Sequence, residues 1–427
     1  MVRFLHTSDW QIGMTRHFLD GEAQARFSAA RVDVIGRLAR VAVDQGCDFI
    51  VVCGDVFESN QLTVQTVRRA LEALRHVPVP VYLLPGNHDP LDAMSIFTSD
   101  VFGDEAPDQV HVLDRPGVHE VAPGVELVAA PWHGKHPDHD LVAEVVDGLP
   151  TGPAPEGTVR VVVGHGAVDV LDPDRHNRAA IATAPLVEAL EQGRIHYVAL
   201  GDRHSRTQVA DAAIHYSGAP EPTAARERRP GDVLVVEVEP GEAVRVTPHH
   251  VGTWAFDVLR EQVGSDADLD WLDGRLASLP DKDRTVLHYA LRGTLTVAQH
   301  ARLESILARH GDTLAALVEW SRHHDVAIVS DEEEWAELGL GGFLGTAVDE
   351  IRGLVEVGAA PAPVVEEVAV DHSSEEEGLE GLADEDPLVD DDGLAARAPF
   401  VPDRDDDEES ARDALALLYR LTRGGAA

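Results

Sequence analysis

Six short apolar runs, each ending in polar residues of the same kind, constrain this chain more than any other feature. Arg3–Leu5 leads into His-Thr-Ser-Asp, Phe49–Cys53 into Gly54-Asp55, and Val79–Leu84 into Pro-Gly-Asn-His-Asp. Glu126–Ala130 leads into Pro-Trp-His, Val159–Val163 into Gly164-His165, and Tyr197–Leu200 into Gly201-Asp202. Apolar runs so short and so rich in Val read as buried strands. Helical patterns lie between the first of them. Residues 22–44 carry Phe27, Val34, Leu38 and Val41 near a 3.6-residue period, and residues 63–76 carry Val64, Val67, Leu71 and Leu74. Strands alternating with helices predict an α/β domain over residues 1–250. Its polar groups gather at the C-terminal ends of strands, where such folds build their sites.

Beyond residue 250 the pattern changes. A helix at 266–279 (Leu269, Leu272, Leu276, Leu279), a strand at 284–292, a helix at 297–309 and a strand near Val326–Val329 predict a smaller α+β domain over 251–356. Residues 357–408 are rich in Ala, Pro, Asp and Glu with few large apolar groups, the composition of a disordered acidic linker. Residues 361–410 alone hold 19 acids and two arginines, a local −17 within a formal net charge of −41. The remaining −24 still repels DNA phosphates and excludes a free-standing nucleic-acid binder of the basic kind. It leaves room for a nuclease whose metals and partner supply the positive charge. At the far end, Ser410 stands three residues before Asp413, and Ala414, Leu417, Leu418 and Leu421 form one apolar stripe. An amphipathic helix over 409–423 follows, which either folds back on its own domain or docks in another protein's groove. No stretch approaches the roughly 18 apolar residues of a membrane span. The opening MVRFLHTSDW has no signal-peptide core, and Cys47 and Cys53 are too few for a stapled secreted fold, so a cytoplasmic protein is expected.

Five strand-end clusters carry the chemistry: Asp9-x-Gln11, Gly54-Asp55, Gly86-Asn87-His88-Asp89, Gly164-His165 and Gly201-Asp202-Arg203-His204. Singly, each has an ordinary explanation as a turn, a hydrogen-bonded loop or a structural histidine. Together they supply what a two-metal hydrolase needs: a bridging carboxylate, oxygen and imidazole ligands, and a group to meet the departing oxygen. Cys53 and Cys47 read as small core residues. Arg226, Arg228 and Arg229 read as a solvated loop, with a phosphate-backbone contact as the sharper alternative. His133 and His136 are not expected to be ligands.

The ordered set D-x-Q…GD…GNHD…GH…GDRH resembles the calcineurin-like metallophosphoesterases, and HTSDWQIG with the GDVFE stretch resembles their SbcD-type nuclease subunits. The resemblance covers residues 1–250 strongly and 251–356 in layout only. It implies a four-layer αββα sandwich followed by a smaller α+β capping domain. It implies that Asp9, Gln11, Asp55 and His204 surround one metal, and that Asp55, Asn87, His165 and Asp202 surround the second, with Asp55 bridging. His88 would assist the leaving group, oriented by Asp89, in an in-line hydrolysis that leaves a 3′-hydroxyl and a 5′-phosphate. The family usually has His at the position of Gln11 and at that of Asp202. Both changes exchange imidazole nitrogen for oxygen, which favours Mn²⁺, with Mg²⁺ as the alternative, over Zn²⁺.

The implied partners are DNA and an SMC-like coiled-coil ATPase engaged through the C-terminal helix. Homodimerisation through a helix pair is a further possibility that the family carries. The expected function is thus a dimetal-dependent DNA exonuclease and endonuclease subunit acting in break repair. Two alternatives stand beside it: a small-molecule phosphodiesterase or phosphatase with the same metals, and a catalytically weak scaffold subunit of the ATPase complex.

Overall fold

The computed structural model describes residues 1–174 and 176–329, which form two compact units, Met1–Ala255 and a second that begins at Phe256. The end of the expected second domain (330–356), the acidic linker (357–408) and the terminal helix (409–423) lie outside the described residues.

In the first unit, β1 (Val2–Thr7), α1 (Gly21–Gln45), β2 (Phe49–Cys53), α2 (Val64–Leu74), β3 (Val81–Leu84), α3 (Asp100–Glu105) and β4 (Val110–Val112) come first. Then follow β5 (Gly117–Ala122), β6 (Val125–Ala129), α4 (Leu141–Asp147), β7 (Val159–His165), α5 (Thr183–Glu191) and β8 (Tyr197–Gly201). The short β9 (Thr207–Val209) and β10 (Ile214–Tyr216) precede β11 (Asp232–Val238) and β12 (Arg245–His250). One six-stranded sheet has the order β12-β11-β1-β2-β3-β4, with β1 to β4 parallel and the other two antiparallel. The other has the order β5-β6-β7-β8-β10-β9, with parallel central strands and antiparallel edges.

Strand alternation sorts the side chains into three cores. Phe4, Phe49, Val51, Tyr82 and Leu84 of the first sheet meet Leu127, Val161, Val163 and Tyr197 of the second. Leu5, Ile50, Val52 and Leu83 face outward onto Val34 and Leu38 of α1 and Leu71 and Leu74 of α2. Val128, Val162, Val198 and Leu200 face Val142 and Val145 of α4 and Leu186 and Ala189 of α5. Each fully buried Val, Leu or Phe contributes about 1.5–3 kcal/mol, so the α/β/β/α layering is the arrangement that covers every apolar face. The α1 helix begins where Asp20 accepts the Ala23 N–H at 2.7 Å and ends on Gly46 in the left-handed region. One polar pair crosses the inner core: His6 donates from Nε2 to the Leu200 carbonyl and accepts the Tyr197 hydroxyl at Nδ1, both at 3.1 Å.

The second unit comprises β13 (Ala255–Val263), α6 (Asp266–Ala277), β14 (Thr285–Thr296), α7 (Val297–Gly311), β15 (Ala316–Glu319) and β16 (Asp325–Val329). Capping boxes start both helices, Ser265 with Asp268 and Thr296 with Gln299. Their apolar stripes (Leu269, Leu272, Leu276; Leu303, Ile306) pack on Leu287, Leu291 and Leu295. Strand β14 runs past the expected end at 292 because its first half pairs with β15 and its second half with β16. Among the described residues no helix is long and apolar enough to cross a membrane.

Candidate metal centre

The polar clusters meet at the C-terminal ends of β1, β2, β3, β7 and β8. The loop after β1 is stitched to the loop after β2, since Asp9 N–H donates to Gly54 O at 3.1 Å and Gln11 N–H to Asp55 O at 2.9 Å. Asp9, Gln11 and Asp55 take φ of 52°, 48° and 53°, and Asp202 takes 100°. This left-handed backbone is strained for non-glycine residues and is held by the loops around it. Close approach also dictates two glycines. A Cβ on Gly54 would fall 2.1 Å from His165 Nδ1, and one on Gly86 would fall 2.3 Å from Asp55 Oδ1.

Asp9, Asp55 and His165 are buried and offer ligand atoms within 4.8 Å of one another. His165 donates from Nδ1 to the Cys53 carbonyl at 2.8 Å, which turns Nε2 into the site. There Nε2 meets Asn87 Oδ1 at 2.7 Å, Asp55 Oδ2 at 3.4 Å and Asp202 Oδ1 at 3.7 Å. Four electron-pair donors converging in a buried space require a proton or a cation among them. Burial opposes charge on His165, yet Asp55, Asp202 and Asp9 outweigh it and raise its pKa well above the ordinary value. Burial likewise works against the Asp55 carboxylate, but His165 and His88 bring its pKa down to about 2. For Asp9, burial dominates and raises the pKa. It accepts the Ser8 hydroxyl at 2.6 Å and the Asp202 N–H at 3.1 Å.

Gln11 completes the picture from the other side. Its Nε2 donates to His204 Nε2 at 3.2 Å, while its buried Oε1 has no hydrogen-bond partner. A buried acceptor without a partner costs about 1–3 kcal/mol, which a bound cation would remove. The donor set of carboxylates, amide oxygens and imidazole nitrogens therefore fits divalent metal ions, with oxygen predominating over nitrogen.

His88 lies at the rim, its side chain 37 % exposed, with Nε2 4.0 Å from Asp55 Oδ2. Its Nδ1 donates to the Glu58 carbonyl at 2.8 Å, and its backbone N–H donates to Asp55 Oδ1 at 3.0 Å. Burial disfavours the imidazolium, but Asp55 and the Glu58 carbonyl overcome it and raise the pKa. The expectation that Asp89 orients His88 is corrected by this geometry. Asp89 is fully buried and accepts the N–H of Phe57 at 3.0 Å and of Gly86 at 2.8 Å, so it ties the β2 and β3 loops together. Neighbours in a tight turn point apart, and the backbone of Glu58 does the orienting instead.

Cys53 and Cys47 are buried free thiols. Arg226, Arg228 and Arg229 sit in an exposed loop, and His133 and His136 are exposed. Sequence reasoning passed over Ser8, Glu58, Trp132 (whose indole N–H donates to the His165 carbonyl at 2.8 Å), Thr223 and Glu227. Ser8, Glu58 and Trp132 lie within the stretches quoted above but act through a hydroxyl, a backbone carbonyl and an indole N–H, while Thr223 and Glu227 lie in no motif, so no residue-type signal marks these roles.

Residues 2–206 match the calcineurin-like phosphoesterase family. This part of the chain is a calcineurin-like metallophosphoesterase domain, a phosphoesterase of the kind that binds divalent metals. The chain is 34% identical over 98 residues to a subunit of the SbcCD nuclease of Bacillus subtilis, covering 22% of this chain and 24% of that protein. It is 30% identical over 91 residues to the "DNA double-strand break repair protein Mre11" of Archaeoglobus fulgidus, covering 21% of this chain and 19% of that protein. A protein of the same name from Methanosarcina mazei is 23% identical over 269 residues, covering 60% of this chain and 39% of its own length. The chain thus spans well under half the length of these relatives.

Proposed function

We propose that the first unit is a two-metal DNA phosphodiesterase, the nuclease subunit of a break-repair complex. The observation that supports the two-metal reading is the gathering of donors at the buried Asp55. His165 Nε2 lies 3.4 Å from Asp55 Oδ2 and also meets Asn87 and Asp202, Asp9 offers a ligand atom within 4.8 Å of those of Asp55 and His165, and Gln11 meets His204 at 3.2 Å. Asn87, His165 and Asp202 are read as one ion's donors and Asp9, Gln11 and His204 as the other's, with Asp55 shared. Held by these residues, two divalent cations (Mn²⁺, with Mg²⁺ as the alternative) would neutralise phosphoryl charge and clamp the attacking and departing oxygens.

The chain's own residues do the rest. Asp55 keeps its charge despite burial because His165 and His88 face it. His88, locked by Glu58 and with its pKa raised against burial by Asp55 and the Glu58 carbonyl, would direct an Nε2–H toward the departing oxygen. Asp89 holds the two loops whose separation sets the distance from His88 to Asp55. The choice of DNA as substrate rests on the relatives' names, "nuclease" and "double-strand break repair". The Bacillus subtilis relative is named as a subunit, which supports a partner protein. The proposed partner is an SMC-like ATPase, engaged through residues 409–423. Residues 251–356 would serve as the capping domain.

The test is Mn²⁺-dependent cleavage of end-labelled linear duplex and single-stranded DNA by the parent and His88→Ala, with EDTA as control and a chromogenic phosphodiester alongside. DNA cleavage that falls about 100-fold or more in the variant is the expected outcome. Cleavage of the small ester alone transfers the assignment to a small-molecule phosphodiesterase. DNA cleavage undiminished in His88→Ala removes His88 from the chemistry.

A further inference from the structure

His204 is held from outside its own strand. Its Nδ1 lies 2.8 Å from Thr223 Oγ1 and 3.1 Å from Glu227 Oε1, both on the loop between β10 and β11. The Thr223 hydroxyl donates to Glu227 Oε1 and its N–H to Glu227 Oε2 at 2.9 Å, so the carboxylate is fully engaged and only 3 % exposed. With two acceptors at Nδ1, the ring must carry its proton there. The Nε2 lone pair is then left for the site, where it meets Gln11.

The loop is braced well beyond what a surface turn needs. Arg31, fully buried, donates to the Pro222 carbonyl at 2.8 Å, and Arg16 donates to the Thr223 carbonyl at 3.0 Å. Glu221 at its start accepts the N–H of Thr253 at 3.0 Å and of Trp254 at 3.2 Å, and pairs with Arg37. Three arginines and a buried carboxylate thus immobilise a segment without regular secondary structure, which reaches the His204 ring through the Thr223–Glu227 pair.

We infer that Glu227, with Thr223, is a positioning residue that fixes the tautomer and direction of His204 and thereby sets the affinity of the cation position shared by Asp9, Gln11 and Asp55. This rests on the reading of His204 as a metal ligand. A carboxylate behind a ligating imidazole fixes the ring and raises its basicity, and its removal typically lowers metal affinity by about 10–100-fold.

The test uses the full chain. Mn²⁺ titration calorimetry and ¹⁵N-histidine spectra of the metal-free protein are recorded for the parent, Glu227→Ala, Glu227→Gln, Thr223→Val and His204→Ala, the last assigning the His204 signal. In the parent, His204 should show the Nδ1–H tautomer. Glu227→Ala should lose it and bind one of two ions about 10–100-fold more weakly. Glu227→Gln, which keeps an acceptor oxygen, should retain the tautomer with a smaller loss. If Glu227→Ala does not fold, Glu227→Gln and Thr223→Val decide, since each leaves most of the loop's bracing in place. Parental tautomer and parental affinity in the folded Glu227 and Thr223 variants would overturn the inference while leaving His204 a ligand. Two ions bound as tightly by His204→Ala as by the parent would overturn both the ligand reading and the inference.

Discussion

Replacing Gly86 by Ala perturbs the centre without removing any proposed ligand. The added Cβ would sit 2.3 Å from Asp55 Oδ1 and 2.6 Å from Asp55 N, where real Cβ atoms keep 3.0 Å or more. Rotating the Asp55 side chain relieves only the first clash, because the second is with backbone. The loop must therefore shift by about 0.4 Å at the Asp55 backbone, and the carboxylate must move by about 0.7 Å, if the interior stays close-packed. The His88 N–H bond to Asp55 and the Gly86 N–H bond to Asp89 lie on the same path and are drawn along. A misplacement approaching 1 Å in a positioned group costs about 100-fold in rate, so hydrolysis should fall by that order. Mn²⁺ affinity should fall by about 10–100-fold. Calorimetric Mn²⁺ titration decides even before activity is measured, and a chromogenic phosphodiester follows the rate. Gly36→Ala is the control: it lies on the exposed face of α1 with nothing within 4 Å of the new methyl. It should be neutral or stabilising by about 0.5–1 kcal/mol. Gly86→Ala with parental Mn²⁺ affinity and parental hydrolysis would refute the claim that this glycine exists to admit Asp55.

Two further outcomes follow. Burial, aided by neighbouring His215, pushes the pKa of His6 down to about 3 against an unfolded value of 6.5. Its contribution is therefore complete above pH 6.5 and is lost as the pH falls from there toward 3. Between about pH 7.5 and pH 5 the loss is about 2 kcal/mol, seen in urea unfolding as a steeper decline for the parent than for His6→Gln. Parallel declines would mean that His6 protonates as readily folded as unfolded. Gln11→His places imidazole nitrogen beside His204 and should tighten Zn²⁺ relative to Mn²⁺ by about 10-fold or more in competition titrations. An unchanged ratio would remove Gln11 from the metal's surroundings.

What could be read from the sequence was what lies on one strand and its end. Phe49–Cys53 and Val159–Val163 are apolar at every position but one because both faces of their sheets are covered, and Asp55 and His165 follow directly after them. The Asp89 error shows the opposite case. Adjacency to His88 suggested contact, but the turn sends the carboxylate back to Gly86 and across to Phe57, 32 residues away in the chain. Thr223 and Glu227 lie 19 and 23 residues from His204 on a segment with no hydrophobic period, so only the folded loop brings them to it. Strands β9 and β10, three residues each, are too short to show alternation and exist by virtue of their neighbours.

The donors are divided between the two sheets: Asp9, Asp55 and Asn87 leave strands of one, and His165, Asp202 and His204 leave strands of the other. The distance across the centre is therefore set by the filling beneath it, where Phe4 stacks on Phe49 at 5.1 Å and meets Tyr197 edge-on at 5.7 Å. Those rings act as a gauge block between two jaws. Thinning it by a single side chain would close or tilt the jaws, and the first thing lost would be the grip on the ions, while the sandwich itself still stood. Selection on hydrolysis in such a protein falls on the aromatic filling as much as on the residues that touch the phosphate.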